Sequence, residues 1–315
     1  MIGNEFSRIV VTGGTGFFGT YICNALRSVS ATCVAVGSRD FNLVEQKDVR
    51  ALYKDLQPTV VVHAAAACGG IGANLANPGK FLYENALMGL QLLEEGRKFE
   101  LRKFILISTT CAYPERAPMP LREDDLWNGP PTAATGPYGI AKRMLHEACR
   151  TYWQQYGMRT TVLIPANLYG PRDHFERENS HVVAALIRRY AEAMEKGLSE
   201  VSNWGTGRAT REFLHVADAA EAVRLAVIGE PGTEPINVGT GAEISVADLA
   251  ALIAQALRYS GRTRWDATKS DGQPRRTLDI TRARQRLGFE ARISLEHGIR
   301  ETVQWFLEQR ASGAI

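Results

Sequence analysis

The chain has 315 residues, 45% of them apolar and 23% charged, with 37 Lys plus Arg against 34 Asp plus Glu and a formal charge of +3. That composition belongs to a folded globular protein and excludes disorder, a collagen-like repeat and a small disulfide scaffold. A charge so small and evenly spread leaves neither nucleic acid nor a membrane as an expected partner, and at about 150 residues per domain the length suggests two domains, or a large one with a smaller one appended.

The first residues carry no basic region followed by an apolar stretch and cleavage site, so no secretion signal is expected. β-Branched apolar runs predict strands over 8–11, 32–36, 59–64, 103–108 and 160–164. Between them, helical periodicity predicts helices over 17–27, 44–54, about 78–97 and 138–156. The longest apolar run, 59–68, is interrupted by His63 and falls far short of the ~18 residues a membrane span needs. Alternating strands and helices are the pattern of a parallel sheet covered on both faces. Residues 1–170 are therefore expected to form a doubly wound α/β domain of Rossmann type.

After Asn167 the alternation ends. Loops carrying Gly170, Pro171, Gly205 and Gly207 surround one helix over 181–196, and helices near 246–256 and 294–307 follow. Residues 171–315 are expected to form mainly a smaller C-terminal substrate-binding cap, with segments near 208–240 returning to the first domain. The site is then expected in the cleft between them. Five widely spaced cysteines (Cys23, Cys33, Cys68, Cys111, Cys149) show no CxxC or Cys/His metal spacing, so no metal and a reducing cytoplasmic setting are expected.

Gly13, Gly16 and Gly19 fall between the first strand and the first helix. Gly13 permits a tight turn, Gly16 lets the backbone approach a pyrophosphate, and Gly19 allows close helix packing. The helix N-terminus supplies free N–H donors, and Thr15, Phe17 and Phe18 complete the expected dinucleotide loop. Where the second strand ends, the sequence reads Gly37-Ser38-Arg39-Asp40. Gly37 leaves room, Ser38 can donate, and Arg39 can pair with a 2′-phosphate, which favours NADP(H). In another register Asp40 would reach the ribose of NAD, and Arg39 would be a solvated charge.

Tyr138 and Lys142 lie four apart at the start of a helix, hence on one face, after a strand ending Ser108-Thr109-Thr110. A neighbouring ammonium favours a phenolate, and Lys142 can also hold a nicotinamide ribose. Ser108 is expected to point to the opposite strand face from Thr109, in a structural role. Cys111 follows at the carboxyl edge of the sheet, where parallel sheets bind ligands. His63 and His146 are expected to be structural.

Several stretches are together more specific than the glycine loop: Gly69-Gly70-Ile71-Gly72-Ala73-Asn74, Cys111-Ala112-Tyr113-Pro114, Tyr138-Gly139-Ile140-Ala141-Lys142, Asn167-Leu168-Tyr169-Gly170-Pro171, Ser180-His181-Val182, Trp204-Gly205-Thr206-Gly207, Arg211-Glu212-Phe213-Leu214-His215-Val216 and Asp271-Gly272-Gln273-Pro274-Arg275-Arg276. On these the chain resembles the extended short-chain dehydrogenase/reductases over nearly its whole length. Within them it is similar to the GDP-L-fucose synthase group, the GDP-4-keto-6-deoxymannose 3,5-epimerase/4-reductases.

The resemblance implies an NADPH-dependent enzyme that inverts C3 and C5 of a nucleotide-linked 4-keto-6-deoxy sugar and reduces C4. It implies that Tyr138 protonates O4 with help from Lys142, and that Thr109 stands where the group has a serine. Cys111 and His181 become acid–base partners in epimerisation. Arg189 and Arg211 would contact the diphosphate, with Arg188 able to exchange roles with Arg189. Asn167 and Leu168 would border the sugar, and Trp204 and Lys196 would border the base or pack the cap. The resemblance further favours a GDP-linked substrate, with dTDP- and CDP-linked sugars left open, and implies a homodimer joined by the long helix after Pro78 and the one beginning at Tyr138. Epimerisation without net reduction, 4-reduction alone, and a non-catalytic NADP-binding sensor are the alternatives.

Overall fold

The computed structural model describes residues 6–30, 32–176, 180–230 and 232–315. The first part of the chain supplies β1 (Ile9–Thr12), α1 (Phe17–Leu26), β2 (Cys33–Val36), α2 (Gln46–Leu56), β3 (Val60–His63), α3 (Ile71–Ala76), α4 (Pro78–Lys98), β4 (Lys103–Ile107), α5 (Gly136–Tyr156) and β5 (Arg159–Pro165). There follow β6 (Asn167–Tyr169), α6 (Val182–Glu195), β7 (Glu200–Trp204), β8 (Thr210–Arg211), β9 (Phe213–His215), α7 (Val216–Ile228), β10 (Ile236–Val238), β11 (Ile244–Ser245), α8 (Val246–Leu257), β12 (Arg262–Asp266), β13 (Arg275–Arg276), α9 (Thr281–Leu287) and α10 (Leu295–Ala311).

Successive residues of a strand face opposite sides, so a strand covered on both sides must be apolar throughout. The central strands behave so. Ile9, Val11, Val60, Val62 and Ile105 pack with α1 and α7, while Val10, Val61, Phe104, Leu106 and Val162 pack with α2, α4 and α5. The six-stranded sheet runs in the order β10-β5-β4-β3-β1-β2 and is parallel at every pairing. From β1 the chain builds outward to β2 on one side and to β3 on the other, which opens a crevice at their carboxyl ends.

A separate apolar cluster joins Tyr169 and Phe175 to α6, α8 and α10 through Ile187, Tyr190, Ile253, Ile299 and Phe306. Around it lie small sheets of two or three strands: β7 with β12, β6 with β9, and β8 between β11 and β13. Helix α7, absent from the sequence expectations, is built mainly of small residues. Its buried Ala219, Ala220, Ala222 and Ala226 leave too little bulk for a strong periodic signal.

Candidate active site

The turn between β1 and α1 is fitted to backbone on three sides. Gly13 has φ +70°, and a Cβ there would lie 2.8 Å from the Ala65 amide nitrogen. A Cβ on Gly14 would lie 2.6 Å from the Ala35 Cα, and one on Gly19 would run into the Gly13 carbonyl. Sequence spacing singled out Gly13, Gly16 and Gly19 and passed over Gly14, whose constraint comes from β2. Gly16 caps α1 without a side-chain partner, so the first-turn N–H groups are free to meet an anion. Thr15 and Gly16 are exposed at the lip, with Phe17 and Phe18 half-buried behind them.

At the end of β2 the Gly37 N–H donates to Asp40 Oδ2 at 2.7 Å, which commits the carboxylate to its own turn. Ser38 and Arg39 are exposed, and Arg39 makes no hydrogen bond or ion pair with the described residues. A glycine cradle that any side chain would fill, beside an uncommitted guanidinium, fits a dinucleotide carrying a 2′-phosphate.

The next group is organised by the first turns of α5. Thr109 Oγ1 accepts from the Cys111 N–H at 3.2 Å and opens a tight turn over Thr110–Ala112. A Cβ on Gly139 would strike the Cys111 carbonyl, so glycine beside Tyr138 is what lets this turn rest on the helix. Arg143 completes the clamp by donating to the Ala112 carbonyl and, at 2.7 Å, to that of Gly129. Ser108 turns away and pairs with buried His146 at 2.5 Å, as its alternate position on the strand requires.

Lys142 is 2% exposed and donates from Nζ to the Ile107 carbonyl at 3.0 Å. Burial pushes its pKa down to about 8. Its Nζ stands 5.9 Å from the Tyr138 ring centroid. Burial is the main cause that holds the Tyr138 phenol well above its ordinary pKa, reinforced by the thiols of Cys68 and Cys111 and opposed by the Thr109 hydroxyl. The expected phenolate is therefore not favoured, because burial outweighs an ammonium engaged elsewhere. Tyr138 stands as a neutral proton donor. Cys68 had no signal in the sequence, since only folding brings its loop, clamped at Ala67 by Asn85, over α5.

His181 occupies the N-cap position of α6, but its ring does not cap the helix. Its Nδ1 lies 3.5 Å from Asp173 Oδ1, and this partner raises the imidazole pKa. On the cap, Arg189 donates to Asn203 Oδ1 at 2.5 Å, while Arg188 holds the Phe175 carbonyl at 2.6 Å and lies 3.5 Å from Glu192. Arg188 thus serves the cap's own backbone. Arg211 donates to the carbonyls of Thr210 at 2.7 Å and Asp271 at 3.4 Å. Burial and the adjacent Arg276, its register partner across β8 and β13, push the Arg211 pKa down.

The Asp271 carboxylate also pins Thr206, and with it the turn after Trp204, which is 72% exposed. Asn167 donates to the Glu212 carbonyl at 2.9 Å, Leu168 packs on the sheet's core, and Lys196 is exposed at the end of α6. Gln273 reaches across to the Glu115 carbonyl at 3.2 Å and Thr132 Oγ1 at 3.0 Å, tying this loop to the segment that follows Cys111. Among the described residues no group of His, Cys, Asp or Glu could hold a metal ion, and no helix is long and apolar enough to cross a membrane.

The pattern of the NAD dependent epimerase/dehydratase family matches residues 9–239. The chain is 36% identical over 309 residues to the probable GDP-L-fucose synthase 1 of Oryza sativa subsp. japonica, covering 98% of this chain and 94% of that one. It is 36% identical over 313 residues to the GDP-L-fucose synthase of Escherichia coli (strain K12), covering 96% and 97%. A crystal structure of a GDP-L-fucose synthetase from Naegleria fowleri bound to NADP superposes with a TM-score of 0.91 at 30% identity, over 99% of this chain and 96% of that one.

Proposed function

The chain belongs to the NAD dependent epimerase/dehydratase family, and from that premise we propose that it is a GDP-L-fucose synthase-like enzyme: with NADPH it inverts C3 and C5 of a GDP-linked 4-keto-6-deoxy sugar and reduces C4. The observation that carries this reading is the gathering of Thr109, Cys111, Tyr138 and Lys142 around one turn at the carboxyl edge of β4. Its relatives bear the name of that activity.

The 4-ketone acidifies the hydrogens on both neighbouring carbons. Cys111, as thiolate, takes a proton from one face, leaving an enolate whose charge lies on O4, and His181 returns a proton to the opposite face. Thr109 and Tyr138 stabilise that oxygen by donating to it. Bound NADPH supplies the hydride that reduces C4. Tyr138 gives its phenolic proton to O4, and Lys142 supplies a nearby positive charge as the phenolate forms. Ser38 and Arg39 hold the 2′-phosphate, while Gly13, Gly16 and Gly19, with Thr15, Phe17 and Phe18, receive the pyrophosphate side of the cofactor. Arg189 and Arg211 grip the sugar's diphosphate, Asn167 and Leu168 border the sugar, and Trp204 borders the base.

The same reading divides the chain into a dinucleotide domain over 1–170, rejoined by segments near 208–240, and a cap over the rest of 171–315. The membership of β10 in the main sheet supports it. It includes a homodimer through α4 and α5, supported by exposed Leu82, Tyr83, Ile140 and Met144 on those helices. A reducing cytoplasmic setting belongs to the same reading, from the wide spacing of the five cysteines along the sequence.

The test is to supply GDP-4-keto-6-deoxymannose with NADPH, follow the loss of NADPH absorbance and identify the product by NMR. The expected product is inverted at C3 and C5 and reduced at C4. Reduction without inversion identifies a 4-ketoreductase instead, and tight NADP binding without turnover of GDP-, dTDP- or CDP-linked keto sugars identifies a sensor.

A further inference from the structure

Asp173 lies in the segment joining β6 to α6, ahead of His181. Its side chain is 1% exposed, whereas that of His181 is 57% exposed. Oδ1 accepts from the His174 N–H at 2.7 Å and faces His181 Nδ1 at 3.5 Å, and Oδ2 has no hydrogen-bond partner among the described residues. The backbone is bent to deliver this carboxylate. Arg172, just before it, has φ +72°, a left-handed conformation that is unfavourable for a non-glycine residue. Tyr21 holds the Pro171 carbonyl at 3.2 Å, and the Asp173 N–H closes back on Gly170 at 3.3 Å. Strain held in place by packing and aimed at one polar contact is a mark of functional positioning.

We propose that Asp173 is a positioning residue for His181: its buried carboxylate accepts from the Nδ1–H, fixing the tautomer so that Nε2 is the atom that delivers protons to the substrate. The inference rests on the proton-exchanging role given to His181 above. A carboxylate on one ring nitrogen both orients the imidazole and favours its protonated form. Asp173 raises the His181 pKa, chiefly through the hydrogen bond it offers the ring. Of the other charges on this segment and on α6, His174 stands 3.7 Å from Glu176 and Arg188 3.5 Å from Glu192. Asp173 is the charge acting on the ring.

The experiment compares wild type with Asp173→Asn, which is isosteric and still accepts from the His174 N–H, and with Asp173→Glu, which keeps the charge. The imidazole of His181 is titrated by NMR, assigned by its loss in His181→Gln, and deuterium uptake at C3 and C5 of the sugar is followed against pH. In Asp173→Asn the imidazole is expected to titrate lower, leaving less imidazolium at alkaline pH and slowing exchange there about tenfold. NADPH affinity should stay unchanged, and Asp173→Glu should recover part of the shift. An Asn variant with the wild-type titration and exchange profile would overturn the proposal. A wild type whose imidazole responds to Asp173 as expected, but which exchanges no substrate protons, would overturn the epimerase reading and leave the Asp173–His181 pair standing.

Discussion

The β1–α1 turn and the pair Arg211–Arg276 both offer donors to an anion, and they are built in opposite ways. At the turn the donors are backbone N–H groups, and Gly13, Gly14 and Gly19 have no room for a side chain. An anion there would meet a surface already formed, with no guanidinium to desolvate. On the cap the donors are side chains from strands only two residues long and far apart in sequence, and burial together with their proximity pushes the Arg211 pKa down. Two like charges held together without an anion destabilise the free protein, so a bound diphosphate should stabilise the cap more than its contacts alone suggest.

The largest expected effect separates chemistry from both anion grips. Tyr138→Phe removes the proton donor but little contact area, so C4 reduction should fall ~10²–10⁴-fold while binding of NADPH and of the nucleotide sugar is nearly unchanged. A mutant that keeps most of its rate would assign the proton to another group, with Thr109 the neighbour in place to give it. Next in size is Arg211→Met. Losing a charge-assisted contact should raise KM for the nucleotide sugar roughly 10–100-fold and leave the NADPH dissociation constant alone. If both constants move together, the two regions are one cooperative unit and the contrast between them fails.

The turn was legible from sequence because its parts are local: the glycines, the strand before them and the helix after them are contiguous. The pair Tyr138 and Lys142 was legible for the same reason. Gly139, Asp173, Cys68 and the role of Arg276 were not, because each matters only through a partner from another segment: Gly139 through the Cys111 carbonyl, Arg276 through the register of β13 on β8. The sequence left Asp40 as a possible ribose ligand, and only folding shows its carboxylate closed on the Gly37 N–H. Fold class suffered less, since two-sided burial of the strands makes them read as apolar runs wherever they pair.

Arg39→Ala probes the one side chain expected to add to the backbone grip at the cofactor end. Loss of a solvent-facing contact to a 2′-phosphate should raise KM for NADPH roughly tenfold and change KM for NADH little. An enzyme that prefers NADH, or a variant equally impaired with both, would place the cofactor's charged end elsewhere.

The smallest effect is on stability, and it sets Lys142 against Arg211. Lys142 is buried, and its pKa falls from an ordinary 10.5 to about 8 on folding. Below pH 8 it is charged in both folded and unfolded chains, so the folded state bears the full cost of desolvating it. Between pH 8 and about 10.5 the folded protein releases a proton that the unfolded chain keeps, so stability rises with pH across that window. Relative to Lys142→Met, which cannot titrate, the wild type should gain about 1 kcal/mol between pH 7 and pH 9, read from urea midpoints of the ligand-free proteins. Arg211→Met, in the same comparison, should differ from wild type by an amount that does not change with pH, because a guanidinium keeps its proton throughout this range. If the Lys142 difference is also flat, the ammonium is hydrated, and the closed, preformed surface assigned to the cofactor side of the cleft does not extend to the foot of α5.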